Sequence, residues 1–307
     1  MNLDDLHQLL IGNIQNKTDE YIRLFHGRGN FYDGYAFLSV ESADRVLFAT
    51  FYSADGEEDA IVALLQKVFE REKKWDALII QQRYRDGAPS EVVAGALPPE
   101  TFAIENNLKY TLNFLNSQNI GFFPDMKKGR EFVRQNAKGK KVLNLFAYTC
   151  SFSVAAMQGG AASVVNVDMN KGVLSIGREN HRINGLDTKK VQFMPYNILK
   201  SWSRIRKGGP YDLIIIDPPS FQKGSFAATS DYEKIIRRLN ELAAQECIVL
   251  SALNAPELGT EFIKTLFREN APEFHYIQRL ENLESFPSRD EERSLKNLIF
   301  KKESANR

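Results

Sequence analysis

Apolar residues recur along this chain with two periods, and the way the periods alternate divides it into two blocks. Residues 1–15 place Leu3, Leu6, Leu9, Leu10 and Ile14 on one side of an acidic amphipathic helix. An extended stretch over 20–25 and a loop over 26–30 follow. Strand patterns over 35–40 and 46–52 flank a turn over 41–45. Ile61, Leu64, Leu65, Val68 and Phe69 then recur at helical spacing within 57–73. A strand over 77–83, a turn at Gly87-Ala88-Pro89, and a hairpin of 102–105 with 110–115 around Asn106-Asn107 complete a small α+β module.

Beyond residue 140 the alternation is cleaner. Strands are expected over 141–145, 163–167, 190–194, 211–216 and 246–251. Helices are expected over 151–158, 171–184, 198–206, 231–244 and 255–269. Two last strands, 274–280 and 294–300, have no helix between them and are expected to pair antiparallel. The pattern implies a doubly wound α/β sheet with helices on both faces. Its organising element is Lys141-Val142-Leu143-Asn144-Leu145, nearly free of charge as a strand covered on both faces must be. Open sheets of this kind bind ligands beyond the carboxyl ends of their central strands. The domains are therefore read as 1–117, a possible RNA-binding or substrate module, and 118–307.

Between the blocks, the run from Gln118 and Asn119 to Pro124 and Asp125 carries the aromatic pair Phe122-Phe123. A solvated linker would not hold such a pair, so the loop is expected to pack, with the strand at 141 the next element in sequence. A helix over 127–137 carries Lys127, Lys128, Arg130 and Arg134. These residues form either a solvated face or a contact for a polyanion. His26, Arg28, Arg83, Tyr84 and Arg85 allow the same two readings, loop residues in solvent or phosphate contacts.

Composition narrows the classes. The 307 residues are 43% hydrophobic and 26% charged with a net charge of +1, so any footprint for nucleic acid must be local. Two cysteines, Cys150 and Cys247, exclude a disulfide framework and a cysteine metal site. The four histidines are scattered, so no metal is expected. There is no signal-peptide pattern and no apolar run long enough for a membrane span. A cytoplasmic protein is expected, monomer or homodimer.

The bend after the central strand, Phe146-Ala147-Tyr148-Thr149-Cys150-Ser151, contains no glycine. A pyrophosphate needs a glycine-rich turn there, which argues against NAD, FAD and phosphate-loop nucleotides. S-adenosylmethionine (SAM) carries no phosphate. Asp168, ending the next strand, is placed to accept from its ribose hydroxyls, or alternatively to cap the helix that follows. Asn197 could meet the adenine edge, with Met169 and Ile198 on its faces. Asp217-Pro218-Pro219-Ser220-Phe221 forms a stiff shelf without backbone donors at its prolines, suited to holding a flat base.

The runs NLFAYTCSFSVAAMQGGAASVVNVDMN, PYN and DLIIIDPPSF resemble the class I SAM-dependent methyltransferases. Within them they are similar to the bacterial large-subunit rRNA methyltransferases of the RlmI and RlmK kind, over about residues 100 to 300. The resemblance implies a Rossmann-like seven-stranded sheet with an antiparallel last strand and a smaller N-terminal α+β domain. It implies that Phe146, Ala147, Tyr148 and Thr149 meet the methionine part, Asp168 the ribose and Asn197 the adenine. The segment with Asn119 and Asp125 would close over the cofactor, and Asp217, Pro218, Pro219 and Phe221 would meet the target base. Lys127, Lys128 and Arg130 would hold RNA, most naturally rRNA.

One departure bears on chemistry. Cytosine C5 enzymes of this group use a cysteine just after the fifth strand, because carbon 5 reacts only once a thiolate has added to the ring. Here that place reads Ser251-Ala252-Leu253-Asn254. A nitrogen acceptor needs alignment and at most a proton acceptor. Asp217, Ser220 and Asn254 are the candidates for that work, and guanine transfer of the RlmK type is favoured. The alternatives are a methyltransferase for a small molecule or a protein, and a non-catalytic RNA-binding factor on the same fold.

Overall fold

A computed structural model describes residues 1–15, 19–54, 56–219, 221–222 and 226–303. The chain divides into two compact units, Met1–Asp125 with Leu283–Asp290, and Met126–Asn282 with Glu291–Arg307.

The first unit contains α1 (Leu3–Gln15), β1 (Ile22–His26), β2 (Leu38–Ala43), β3 (Val46–Phe51), α2 (Glu58–Glu72), β4 (Ala77–Gln82), β5 (Ser90–Gly95), and the hairpin β6 (Phe102–Glu105) and β7 (Leu108–Thr111). Strands β1 to β5 form one sheet in sequence order. Leu6, Leu10 and Ile14 of α1 and Ile61, Leu65 and Val68 of α2 are buried in its core. The sequence places a turn at Glu41, whereas β2 runs through it. Glu41 lies directly opposite Arg23 of β1 and pairs with it, so its charge is neutralised inside the sheet. β5 escapes the sequence pattern because it is a half-exposed edge strand without alternation. The hairpin turn matches expectation. Asn106 and Asn107 both take positive φ, 51° and 63°, as a tight two-residue turn requires.

The Phe122-Phe123 loop does pack, but Phe122 does so within this first unit. Its ring stacks on Tyr110 at 4.7 Å and meets Tyr21 at 5.7 Å.

The second unit contains α3 (Lys127–Asn136), β8 (Lys141–Leu145), α4 (Ser151–Gln158), β9 (Ser163–Val167), α5 (Lys171–Ile183), β10 (Val191–Met194), α6 (Trp202–Lys207), β11 (Tyr211–Ile216), β12 (Phe221–Gln222), β13 (Phe226–Ala227), α7 (Ala228–Ile236), α8 (Leu239–Leu242), β14 (Ala243–Leu253), α9 (Thr260–Asn270), β15 (His275–Leu280) and β16 (Lys296–Lys302). The seven-stranded sheet has the order β10-β9-β8-β11-β14-β16-β15, with β16 antiparallel to both neighbours. Strand β8 is thus central. Its Leu143 and Leu145 join one core and Val142 the other, all fully buried. Each such side chain contributes about 1.5–3 kcal/mol.

Three helix expectations are corrected. The one over 198–206 is a 3-10 turn, Ile198–Lys200, followed by α6 from Trp202. The stretch read as one helix over 231–244 is α7 and α8, and β14 starts already at Ala243, which pairs with Tyr211. Sheet pairing overrides the helix propensity of Ala243 and Ala244. The helix expected from 255 begins instead at Thr260, where the Glu292 carboxylate accepts from the Thr260 backbone N–H at 2.6 Å and from its hydroxyl at 2.8 Å. An acceptor in the first turn satisfies a donor that the helix leaves open.

Candidate active site

The carboxyl ends of the five parallel strands lie side by side, and the expected residues follow that order. Asn197 comes after β10, Asp168 after β9, Phe146 to Thr149 after β8, Asp217 to Pro219 after β11, and Asn254 after β14. At about 4.8 Å per strand, the path from Asn197 to the β8 loop is about 10 Å.

The β8 loop makes its bend without glycine by placing three residues in the left-handed region. Phe146, Tyr148 and Cys150 have φ of 59°, 46° and 63°. Each costs about 1–2 kcal/mol relative to an ordinary backbone. The surroundings hold the bend in place. The N–H of Ala147 donates to Val167 O at 3.1 Å, and that of Cys150 donates to Ala147 O at 2.7 Å. Asn180 of α5 donates from Nδ2 to Thr149 O at 2.9 Å. Gly177 of α5 packs so close that a Cβ there would lie 2.4 Å from Cys150 Sγ.

Asp168 holds the loop from the neighbouring strand. Its Oδ2 accepts from the Tyr148 N–H and its Oδ1 from the Asn170 N–H, both at 2.9 Å. The helix cap is Asn170, whose side chain accepts from the N–H groups of Gly172 and Val173. Asp168 is therefore free of the capping role. Burial raises its pKa, and the two backbone donors work against that rise. Two acceptor positions of the carboxylate are left for other donors.

Below the loop, a directed chain of buried polar groups joins the sheet to α4 and α5. Asn144 Nδ2 donates to Asn166 Oδ1 at 2.9 Å, and Asn166 Nδ2 donates to Ser153 Oγ at 3.0 Å. His181 Nδ1 lies 2.7 Å from the Gly177 carbonyl, which can only accept, so Nδ1 carries the proton. His181 Nε2 then accepts from the Ser153 hydroxyl at 2.9 Å. Burial lowers the His181 pKa, so the ring stays neutral.

Asn197 supplies the test of fit for a nucleoside. Its Oδ1 is buried and has no hydrogen-bond partner, and its side chain does not cap the turn that follows. A buried acceptor left open is costly unless a donor arrives, and the exocyclic amine of adenine is such a donor. Ile198 is buried in the sheet core, whereas Met169 is 49% exposed.

The shelf is built differently. Pro218 is buried and Pro219 exposed. Beneath it, Tyr232 of α7 joins the ends of β11 and β14. Its hydroxyl donates to Ala252 O at 2.8 Å, meets Ser251 Oγ at 2.7 Å, and has Ile216 O at 3.4 Å. Burial drives the phenol pKa far up, so it stays a donor. Asp217 directly follows Ile216. Ser220 lies outside the described residues, and Phe221 is described only as backbone of β12. Both cysteines are buried. Burial pushes the Cys150 thiol well up and the Cys247 thiol up to about 12. Neither is a thiolate nucleophile.

The remaining expected residues are not all brought together. Asn119 and Asp125 belong to the first unit. The basic face expected of α3 is incomplete. Arg130 is 1% exposed and points inward with Gly129 and Val133, because α3 lies against α4 and a Cβ on Gly129 would meet Phe152 at 3.3 Å. Lys128 is exposed and pairs with Glu131 at 4.0 Å. Sequence reading missed Asn180, Gly177 and Tyr232. Only Gly177, a glycine inside a helical pattern, carried a signal.

Among the described residues, no group of three or more His, Cys, Asp or Glu is placed to hold a metal, and no helix is long and apolar enough to cross a membrane. Comparison with known proteins bears on the family. A ribosomal RNA large subunit methyltransferase I of Aeromonas hydrophila subsp. hydrophila is 33% identical over 196 residues, 62% of this chain and 49% of that protein. The protein of the same name from Erwinia tasmaniensis is 30% identical over 214 residues, 68% of this chain and 53% of that one. The chain thus spans about half the length of the curated relatives it matches. SMU.776, assigned as a methyltransferase and crystallised with SAH, superposes with a TM-score of 0.86 at 23% identity, covering 98% of this chain and 82% of that one. Trm5b of Pyrococcus abyssi gives 0.62 at 15% identity, covering 86% and 74%. A sequence profile of the SAM-dependent methyltransferases matches residues 22–301, and the chain belongs to that family.

Proposed function

We propose that this chain methylates a nitrogen of an rRNA base, with guanine favoured. The observation that carries the reading is the order along the sheet edge: an open buried amide acceptor at Asn197, the Asp168 carboxylate, the bent loop Phe146 to Thr149, then Asp217 and Asn254. When bound, SAM supplies a sulfonium methyl that a lone pair can attack directly.

The chain's own residues do the rest. Asn197 accepts from the adenine amine, and Asp168 accepts from the ribose while fixing Tyr148. Phe146, Ala147, Tyr148 and Thr149 line the methionine end, with Met169 and Ile198 beside the base of the cofactor. Pro218, Pro219 and Phe221 support the acceptor base; Asp217, Ser220 and Asn254 orient its edge and take a proton where one must leave. Lys127 and Lys128 contact the RNA backbone, and Arg130 supports α3 from inside. A thiol-dependent C5 transfer is disfavoured by two buried, protonated cysteines.

The test is mass mapping of methylated nucleosides in large-subunit rRNA from cells with and without the gene. One methylated purine should disappear and return with the wild-type gene. An unchanged map would defeat the rRNA assignment, and loss of a C5-methylated cytosine would defeat the nitrogen assignment.

A further inference from the structure

We infer that the first unit carries a binding site for single-stranded RNA, with a phosphate contact at Arg28 and Arg83 against the Tyr52 ring and a stacking position at Phe31. The inference rests on the RNA reading above and adds where, outside the transfer site, the strand is held.

The arrangement starts with charge. Arg23 in β1 is neutralised by Glu41 across the sheet, and Glu41 also accepts from the Tyr21 hydroxyl at 2.7 Å. Arg28 and Arg83 have no carboxylate partner among the described residues, yet both lie against a ring. The Arg28 guanidinium lies 4.3 Å from the Tyr52 ring centroid and that of Arg83 lies 5.8 Å from the same ring. Arg83 also donates to Asn119 Oδ1 at 2.9 Å and to Gln118 O at 3.3 Å. Two acids at and just before the start of α2 are engaged elsewhere: Glu57 accepts from the Tyr35 hydroxyl at 3.3 Å, and Glu58 accepts from Gln82 and from the Tyr84 hydroxyl. The Arg28 guanidinium, against the ring and exposed, keeps its N–H edge open to a phosphate, and Arg83, with two of its five N–H donors given to Gln118 and Asn119, keeps the others for the same anion.

The loop that presents Arg28 has little freedom. The Gly27 N–H donates to Leu38 O at 3.0 Å, and a Cβ on Gly27 would lie 1.7 Å from Tyr35 O. Gly29 is held against Pro287, and its carbonyl accepts from the Arg289 N–H at 3.0 Å. Preceding it, His26 accepts at Nδ1 from Arg23 at 2.8 Å and so is neutral. The local positive charge therefore belongs to the arginines. In the same loop Phe31 is 54% exposed, edge-on to Tyr32 at 5.1 Å, an open aromatic face for a base. Guanidiniums beside an exposed aromatic favour a nucleic-acid strand over an acidic peptide, which offers carboxylates but no flat ring.

The test measures binding of the full chain to a labelled mixed-sequence single-stranded RNA 15-mer by fluorescence anisotropy over a salt series. Arg28→Gln should weaken binding several-fold and lower the log–log salt slope by about 0.7, the value of one phosphate contact on a single strand. Arg28→Gln with Arg83→Gln should remove about twice that slope. Phe31→Ala should weaken binding several-fold with the slope unchanged, since stacking releases no counterions. Arg206→Gln, an exposed arginine of the second unit, serves as the control and should leave the slope alone. In methyl transfer to RNA Arg28→Gln should raise KM for RNA and leave kcat unchanged. Wild-type protein that methylates RNA while Arg28→Gln keeps both affinity and slope overturns this site alone. So does equal binding of a polyglutamate peptide of the same charge. Wild-type protein that neither binds nor methylates RNA overturns the RNA reading together with the site.

Discussion

The loops after β8 and β11 sit at the ends of neighbouring strands and fix their backbones by opposite means. The β8 loop holds Phe146, Tyr148 and Cys150 in the left-handed region and depends on donors and acceptors from β9 and α5 to keep them there. The β11 loop places Pro218 and Pro219 in sequence, so its stiffness is covalent, and Tyr232 secures it from below. The first conformation is borrowed from its neighbours and the second is largely its own. The first should therefore fail when a neighbour is altered, and the second should fail gradually.

The largest effect is expected from Asp168→Ala. It removes two charge-assisted acceptors, each worth about 1.5–3 kcal/mol. Calorimetry should show the demethylated cofactor binding at least a hundredfold more weakly. Asp168→Asn, which keeps one acceptor, should lose less. Because burial raises the Asp168 pKa, the wild type should lose cofactor affinity on acidification at a pH above the ordinary aspartate range. The sign on stability is the reverse: a raised carboxyl pKa means that ionisation costs folding energy, so this contribution is lost as pH rises through the folded pKa. An affinity flat from pH 7 down to 4 would contradict the assigned role.

Gly177→Ala comes next. Its Cβ would drive into Cys150 Sγ, and overpacking of this kind costs about 1–3 kcal/mol. Thermal melting should show that loss, and cofactor affinity should fall with it, about tenfold. If affinity holds while stability drops, the loop does not depend on α5. Tyr232→Phe should cost about 1–2 kcal/mol in denaturant unfolding. It should lower kcat severalfold at nearly constant KM for SAM, which separates the shelf from the cofactor loop. The smallest effect is expected from Pro218→Ala, about 0.4–1 kcal/mol by gain of unfolded-chain entropy, with cofactor binding intact. A large loss of cofactor affinity in that variant would erase the distinction between the two loops.

The comparison also shows what the sequence could and could not reveal. The strand set of the second unit, its central strand and the residues at its carboxyl edge were legible because period and charge change sharply there. Asp168 was legible as a strand-ending acid, but its choice between cap and ligand was not. That choice was made by Asn170 two residues on, and by a backbone N–H twenty residues earlier. The inward turn of Arg130 was hidden because a run of charges looks alike whether solvated or covered. Glu41 was misread for a similar reason, since its partner Arg23 comes from another strand. Asn180 and Tyr232 act through hydrogen bonds made across the fold, and no local pattern announces such partners.

The first unit is not one continuous length of chain. Leu283–Asp290 belongs to it, with Phe286 against His26 at 5.0 Å and the Arg289 N–H on Gly29 O. During synthesis, residues 1–125 therefore emerge from the ribosome long before the piece that completes them. They must wait, unfinished at one loop, while almost all of the second unit is translated. No single cut can release either half whole, and swapping the N-terminal half between relatives would require carrying this distant stretch along with it.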